Sequence, residues 1–108
     1  DSDYKYCKSL QNAINYIETY YGGTETAILT ASVLTKYTAT IASGDNIILD
    51  LNGHIYMQTQ EIVNNGTLTI NDSSPDKSGA IASSYEINMI NNKGTTSINN
   101  NFGARYLI

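Results

Sequence analysis

The feature that most constrains the fold is a short motif that recurs in the second half of the chain. Its three copies read "LDLN" (49–52), "LTIN" (68–71) and "TSIN" (96–99). A Gly-Thr pair precedes each of the last two copies. Repeats at about this spacing, built from short alternating segments that end in Asn or Gly, are typical of β-solenoids. The motif recurs because each coil buries its apolar side chains only against the next coil.

The aligned motifs predict which residues stack on one another. The apolar residue before each asparagine should form an interior ladder, and the asparagines should stack at the following corner, because Asn tolerates a left-handed backbone. The predicted ladder is Leu51, Ile70 and Ile98, and the predicted corner stack is Asn52, Asn71 and Asn99. Downstream, "GHI" (53–55) aligns with "GAI" (79–81). A β-sandwich with Asn-rich turns is the alternative, since it also uses short strands at about this spacing.

The beginning of the chain has a helical rather than a strand periodicity. Apolar residues recur at the spacing of one helix face, at Leu10, Ala13, Ile14 and Ile17. With Ser9 as N-cap and Gly22 as a natural stop, this spacing predicts a helix over residues 10–20. After residue 23 the period changes to two, which predicts strands over residues 26–33, 37–43, 46–53 and 67–72.

Composition excludes several classes of function. The chain has 108 residues, the size of one domain, and its six Lys plus Arg and ten Asp plus Glu give a formal net charge of -4. Six dispersed cations form a poor track for phosphates, so nucleic-acid binding is not expected. No apolar run approaches the roughly 20 residues of a membrane span, and we expect neither membrane insertion nor a signal peptide. The single cysteine, Cys7, cannot form an internal disulfide, and without a nearby histidine it is not expected to be a catalytic thiol.

Three segments resemble a known family: "SGDNIILDLNGH" (43–54), "IVNNGTLTINDSS" (62–74) and "GAI" (79–81). They are similar to the right-handed parallel β-helix of the pectate-lyase-like superfamily, and most of all to the variety in large, repetitive surface proteins of Gram-positive bacteria. Residues 9–32 also look like that family, in which a helix caps the N-terminal end of the solenoid. The resemblance covers roughly residues 8–100 and implies a mainly β fold, a short right-handed parallel β-helix of about three to four coils with an N-terminal α-helical cap.

The resemblance leaves the activity open, because the family includes polysaccharide lyases and hydrolases, phage tailspikes and adhesins. Its lyases bind calcium through an acidic cluster, and its glycosidases use paired or triple Asp. Here Asp50 should point outward beside Thr69, and no two carboxylates are brought to the ~5–9 Å that glycosidase chemistry needs. The acids are therefore interpreted as solvated surface residues. The loop "NDSSPD" (71–76) lacks the ligand spacing of an EF-hand, so neither a metal, a cofactor nor a catalytic residue is predicted.

The candidate binding residues are a histidine and tyrosines near the predicted coils. His54 follows a tight corner at residues 52–53, and beside Tyr56 it could form a small recognition patch. Tyr37, Tyr56 and Tyr85 could stack on sugar rings if they share one face of the solenoid, although tyrosines packed over coil edges are the commoner arrangement. His54, Tyr56 and Tyr85 are thus the predicted binding site, and carbohydrate or another host or cell-surface ligand is the predicted partner.

We interpret residues 1–108 as a single domain, with a capping helix in 1–23, coils in 24–101 and a C-terminal cap or tail in 102–108. The predicted function is a non-enzymatic structural or adhesion-type module of an extracellular, cell-surface or phage-associated protein, where the virion surface is a further location. The alternative is a carbohydrate-binding or polysaccharide-degrading β-helix domain. The apolar C-terminal residues should fold over the last coil or pack against a second copy, because an uncapped solenoid end exposes unpaired strand edges. These residues are Phe102, Tyr106, Leu107 and Ile108.

Overall fold

The computed structural model describes residues 5–83 and 90–99, which form one helix and ten short strands. The helix is α1 (Leu10–Tyr21). The strands are β1 (Thr24–Ile28), β2 (Val33–Thr35), β3 (Ala39–Ile41), β4 (Asn46–Asp50), β5 (Ile55–Gln58), β6 (Ile62–Asn64), β7 (Thr67–Asn71), β8 (Ala80–Ser83), β9 (Ile90–Asn92) and β10 (Thr95–Ile98). The predicted strand over 26–33 is therefore two strands separated by a corner.

Helix α1 begins and ends where its capping residues predict. The Ser9 hydroxyl accepts a hydrogen bond from the Asn12 backbone N–H at 3.1 Å, which satisfies one of the unpaired donors of the first turn. Gly22 ends the helix with a φ of 64°, a left-handed conformation that glycine adopts without a steric cost. The buried face of the helix consists of Leu10, Ile14 and Ile17. Because it packs against β1 and β3, the helix covers part of one end of the stacked strands.

The strand pairs of the described residues are parallel and belong to three sheets, with the orders β1-β4-β7-β10, β2-β5-β8 and β3-β6-β9. The chain thus visits the three sheets in the same order before it returns to the first. Thr24 pairs with Asn46, Asn46 with Thr67 and Thr67 with Thr95, so the third turn is longer than the first two. This arrangement confirms a mainly β fold of parallel strands in stacked sheets. It is compatible with a short β-solenoid and differs from the antiparallel sheets of a β-sandwich.

The register of the first sheet confirms one predicted alignment and corrects another. Ile70 lies beside Ile98, so the alignment of the last two motif copies is confirmed. The residue beside Ile70 on the other side is Leu49 rather than Leu51, so the first copy is displaced by two positions from its predicted alignment. A displacement of two positions keeps every side chain on its own face of the strand. Leu51 is consequently still buried, but it lies beyond the ladder, where its N–H donates to the carbonyl of Asn71 at 2.8 Å.

The corner stack is confirmed for two of its three asparagines. The Asn99 amide donates to the side-chain oxygen of Asn71 at 3.1 Å. Asp50, not Asn52, is the residue in register with Asn71. Asn52 lies two positions further on, where it adopts the left-handed conformation with a φ of 48° and donates from its amide to the Leu29 carbonyl at 3.2 Å.

The repeated glycine before each threonine has a steric cause. A Cβ on Gly94 would overlap the carbonyl oxygen of Gly66 in the preceding turn, and a Cβ on Gly66 would overlap the carbonyl oxygens of Ala42 and Asp45. The turns stack backbone on backbone at this corner, which leaves no room for a side chain. The Gly-Thr repeat therefore marks a very close contact between successive turns.

Apolar side chains from all three sheets form the core together with the helix. The fully or nearly fully buried members are Leu10, Ile14, Ile17, Ala39, Ile41, Ile47, Leu49, Leu51, Tyr56, Ile62, Leu68, Ile70 and Ile81. Within the described ranges, no helix is long and apolar enough to cross a membrane. The predicted C-terminal cap or tail of residues 102–108 lies outside the described residues.

Candidate functional site

The predicted recognition patch is only partly at the surface. His54 is half-buried at the corner before β5, and its carbonyl accepts a hydrogen bond from the Ala80 N–H at 3.1 Å. Tyr56 is only 1% exposed, so its ring cannot stack on a sugar, and its interpretation as a surface residue is wrong. Tyr37 is 79% exposed in the segment before β3. Tyr85, the third predicted binding residue, lies outside the described residues.

A one-position difference in register explains the burial of Tyr56. The predicted alignment placed Ile55 beside Ile81, whereas the structure pairs Ile55 with Ala80 and Tyr56 with Ile81. A slip of one position moves every side chain of a strand to the opposite face. Tyr56 and Ile81 therefore point into the core, and Ile55 is 42% exposed.

The buried hydroxyl of Tyr56 has a hydrogen-bond partner on its own strand. Its hydroxyl donates to the side-chain oxygen of Gln58, which is fully buried, and the Gln58 amide reaches the Tyr37 carbonyl at 3.4 Å. Burial raises the pKa of Tyr56 to about 12, against a smaller opposing effect of a hydrogen bond with Thr35. The tyrosine therefore contributes to stability only in its neutral form.

This environment predicts a loss of stability at alkaline pH. The folded-state pKa of Tyr56 is above its unfolded value, so its contribution is complete below about pH 10 and is lost as the pH rises towards 12. Between about pH 10 and 12, the free energy of unfolding of the wild-type chain in urea should fall by on the order of 2–3 kcal/mol more than that of Tyr56→Phe. Tyr37→Phe, which changes an exposed tyrosine, should follow the wild-type profile. An equally steep alkaline loss in Tyr56→Phe would contradict the assignment.

Two of the acids that were interpreted as solvated are in fact buried at a corner of the fold. Asp50 is 6% exposed, and its Oδ1 accepts hydrogen bonds from the N–H groups of Asn52 at 3.0 Å and Ser73 at 2.9 Å. The bond from the N–H two positions on is the Asx turn that Asp and Asn characteristically form. Because Ser73 belongs to the next turn of the chain, Asp50 links two successive turns.

Asp72 makes the corresponding contacts at the same corner and is fully buried. Its Oδ1 accepts from the N–H groups of Gly53 at 3.0 Å and Ser74 at 2.9 Å, and its Oδ2 accepts from Gly79 N–H at 2.7 Å. Burial alone would raise the pKa of Asp72, but the hydrogen bonds from Ser74, Gly79 and Gly53 outweigh it and lower that pKa. The carboxylate is therefore held ionised as an anchor for the backbone of the loop over residues 72–79.

One pair of carboxyl groups does come together, although the sequence did not indicate it. The Glu18 side chain near the end of α1 lies beside Asp45, and the hydrogen bond between them, burial and the charge of Asp45 raise the pKa of Glu18. Among residues 5–83 and 90–99, His, Cys, Asp and Glu form no cluster of three that could hold a metal ion.

A buried amide joins the second and third turns at another corner. Asn64 is fully buried, and its amide nitrogen donates to Asn92 Oδ1 and the Thr95 carbonyl, both at 2.9 Å, and lies 3.0 Å from Thr96 Oγ1. Its Oδ1 accepts from the Gly66 N–H at 3.0 Å. Both the nitrogen and the oxygen of the amide therefore have hydrogen-bond partners, which avoids the free-energy cost of burying an unpaired polar group.

A wide cleft lies at the helix end of the stacked strands. It has a volume of about 780 Å³ and runs between residues 5–9, helix α1 and the strands β1 and β2. Exposed apolar side chains line it, among them Ile28, Val33 and Leu34, together with the half-exposed Tyr21. We call it the N-terminal groove. The sequence carries no signal for a site at its exposed residues, because the alternation of apolar residues in 26–33 predicts only a strand.

Comparisons of the chain with models of protein families, with curated proteins and with solved structures gave no match.

Proposed function

We propose that this chain is a non-enzymatic structural or adhesion-type module of an extracellular, cell-surface or phage-associated protein. In this proposal the stacked sheets are the coils of a short right-handed parallel β-helix of the pectate-lyase-like kind. The observation that carries it is the use of Asp50, Asp72 and Asn64. All three polar side chains hold backbone groups of neighbouring turns, so their role is to stabilise the stack.

The same observation supports a binding or scaffolding role over polysaccharide cleavage. A catalytic carboxyl must reach the substrate and exchange a proton at the working pH. Asp72 is fully buried and accepts three backbone hydrogen bonds, so neither condition is met there.

Carbohydrate binding is a second candidate because several tyrosine rings are exposed. Tyr6, Tyr20 and Tyr37 are 77%, 66% and 79% exposed, respectively, and an exposed aromatic ring can stack on a sugar. This candidate differs from the predicted patch, because it replaces the buried Tyr56 by tyrosines at the helix end of the molecule.

The experiment joins a depolymerisation assay to a glycan array. The chain would be incubated with polygalacturonate, alginate and hyaluronan, and new reducing ends and unsaturated uronates would be measured against a heat-denatured sample. We expect no product. A polysaccharide that only the folded chain shortens would overturn the proposal. On the array, selective binding that Tyr37→Ala removes and Tyr56→Phe retains would favour carbohydrate recognition.

A further inference from the structure

Strands β1, β2 and β3 are edge strands of their sheets. Side chains of the chain itself bond to the outer edges of β1 and β3. In a parallel ladder, alternate residues direct their N–H and C=O groups to opposite neighbours. The centre of each outer edge is therefore a single residue: Thr26 in β1, Leu34 in β2 and Thr40 in β3.

Side chains reach the central N–H of β1 and both central backbone groups of β3. The Thr26 N–H donates to the Glu25 carboxylate at 2.9 Å. The Thr40 N–H donates to Gln11 Oε1 at 2.7 Å, and the Gln11 amide reaches the Thr40 carbonyl at 3.5 Å. Gln11 thus pairs with β3 through a donor and an acceptor, as a neighbouring strand would.

The edge of β2 has no comparable cover among the described residues. The Thr35 carbonyl accepts from the Thr59 N–H at 2.9 Å, so Thr35 faces the paired strand β5. By the alternation of a parallel strand, the N–H and C=O of Leu34 point the other way. Its side chain is 51% exposed. An uncovered strand edge of this kind is a template for pairing with another strand.

The N-terminal groove lies directly beside this edge. Leu34 lines it, and a smaller depression of about 190 Å³ continues from Leu34 to Lys36 and Tyr37. Three of the six Lys and Arg residues of the chain, Lys5, Lys8 and Lys36, line these two cavities, and Glu25 is the one acid there among the described residues. The cleft is therefore basic in a chain whose net charge is -4. This charge separation favours an acidic partner.

We propose that the N-terminal groove binds an extended peptide segment that alternates apolar side chains and carries acidic residues at its ends. The backbone of the peptide pairs with the N–H and C=O of Leu34 and adds a strand to the sheet β2-β5-β8. Its apolar side chains contact Val33 and Ile28, and its carboxylates contact Lys8 and Lys36. This binding site goes beyond the proposed module function and does not depend on it.

The test measures fluorescence anisotropy of the labelled peptide Asp-Ile-Thr-Val-Thr-Ile-Glu. We expect saturable binding with a Kd in the micromolar range. The peptide with Lys in place of both acids should bind at least about tenfold more weakly, since it meets like charge. A peptide N-methylated at alternate residues should also lose at least about tenfold in affinity, because its backbone cannot donate to Leu34.

Protein variants locate the binding. Lys8→Glu and Lys36→Glu, each alone and combined, should weaken binding of the acidic peptide, the combined variant at least about tenfold. Lys93→Glu makes the same charge change as either single variant at a distant exposed turn and should change the affinity less than about twofold. Leu34→Pro removes the free edge N–H and should abolish binding; an edge position with an unpaired N–H tolerates proline. If circular dichroism shows that Leu34→Pro unfolds, the double lysine variant and the N-methylated peptide decide the result.

Four outcomes would overturn the proposal. They are no binding of the acidic peptide at millimolar concentration, equal binding of the lysine peptide, and equal binding of the N-methylated peptide. The fourth is evidence that the groove binds a second copy of the chain or a carbohydrate instead of a peptide. Sedimentation that shows a dimer dependent on Leu34 would assign the edge to a second copy, and a glycan signal dependent on Lys8 would assign the groove to carbohydrate.

Discussion

Replacement of Asp72 by asparagine is expected to lower the free energy of unfolding by about 3 kcal/mol and the Tm by roughly 10–20 °C. The carboxylate accepts hydrogen bonds from Gly53, Ser74 and Gly79 and is fully buried. An asparagine retains one accepting oxygen but presents an N–H₂ group to the remaining donors, whichever way the amide is oriented. A buried N–H is then left facing a donor, which costs its full desolvation.

The size of this effect should depend on pH. The pKa of Asp72 is lowered in the folded state, so its stabilisation is present above the unfolded pKa, near 4, and is lost as the pH falls through the folded value. The difference in stability between wild type and Asp72→Asn should therefore narrow in acid. Thermal and urea unfolding between about pH 3 and 7 measures it.

A matched control lies in the same loop. Asp76 is exposed, and its carboxylate accepts from the Ser78 hydroxyl at 3.0 Å. Asp76→Asn makes the same chemical change without removing a buried acceptor, so its Tm should stay close to that of the wild type. Equal Tm values for Asp72→Asn and wild type would show that the buried carboxylate does not anchor the corner.

Replacement of Asn64 by aspartate is expected to be at least as destabilising, by about 3–5 kcal/mol. The Asn64 amide donates to Asn92 Oδ1 and to the Thr95 carbonyl. A carboxylate has no proton to donate, so it would face these acceptors from a fully buried position. Of the present hydrogen bonds of Asn64, only the one accepted from the Gly66 N–H would be retained.

The adjacent residue provides the control for this variant. Asn65 is exposed, so Asn65→Asp adds the same charge one position away and should leave the free energy of unfolding nearly unchanged. The carboxyl introduced by Asn64→Asp should have a raised pKa, so this variant should regain stability as the pH falls, opposite to the wild type. Urea unfolding at neutral and acidic pH tests both points, and a neutral-pH stability equal to that of Asn65→Asp would contradict the prediction.

Helix α1 and one inter-turn register could be predicted from the sequence because their signals are local or repeated. The capping pattern of Ser9 and Gly22 depends on residues within one helical turn of each end. The pairing of Ile70 with Ile98 could be predicted because the same Gly-Thr pair and the same asparagine flank both residues in the sequence. Agreement among several local features made these two predictions robust.

The other two predicted strand alignments were wrong because the corners between strands differ in length from one turn to the next. The alignment matched asparagine with asparagine, whereas the structure places Asp50 in register with Asn71. Asp and Asn favour the same turns, so treating them as equivalent would have given the observed register. In the second sheet, no local signal indicated whether Ile55 or Tyr56 faces the core, and hydropathy alone favoured Ile55.

By itself the sequence determined the helix, the parallel repeat and the asparagine corner, because periodicity and turn chemistry act over a few residues. Only the tertiary structure decided that Tyr56 is buried, since its burial requires Gln58 as a hydrogen-bond partner and Ile81 as a neighbour. The tertiary structure also decided that the backbone N–H and C=O of Leu34 are uncovered and lie beside the lysines of the N-terminal groove. A strand edge is free or covered according to where distant segments pack, and Gln11 covers Thr40 from 29 positions away along the chain.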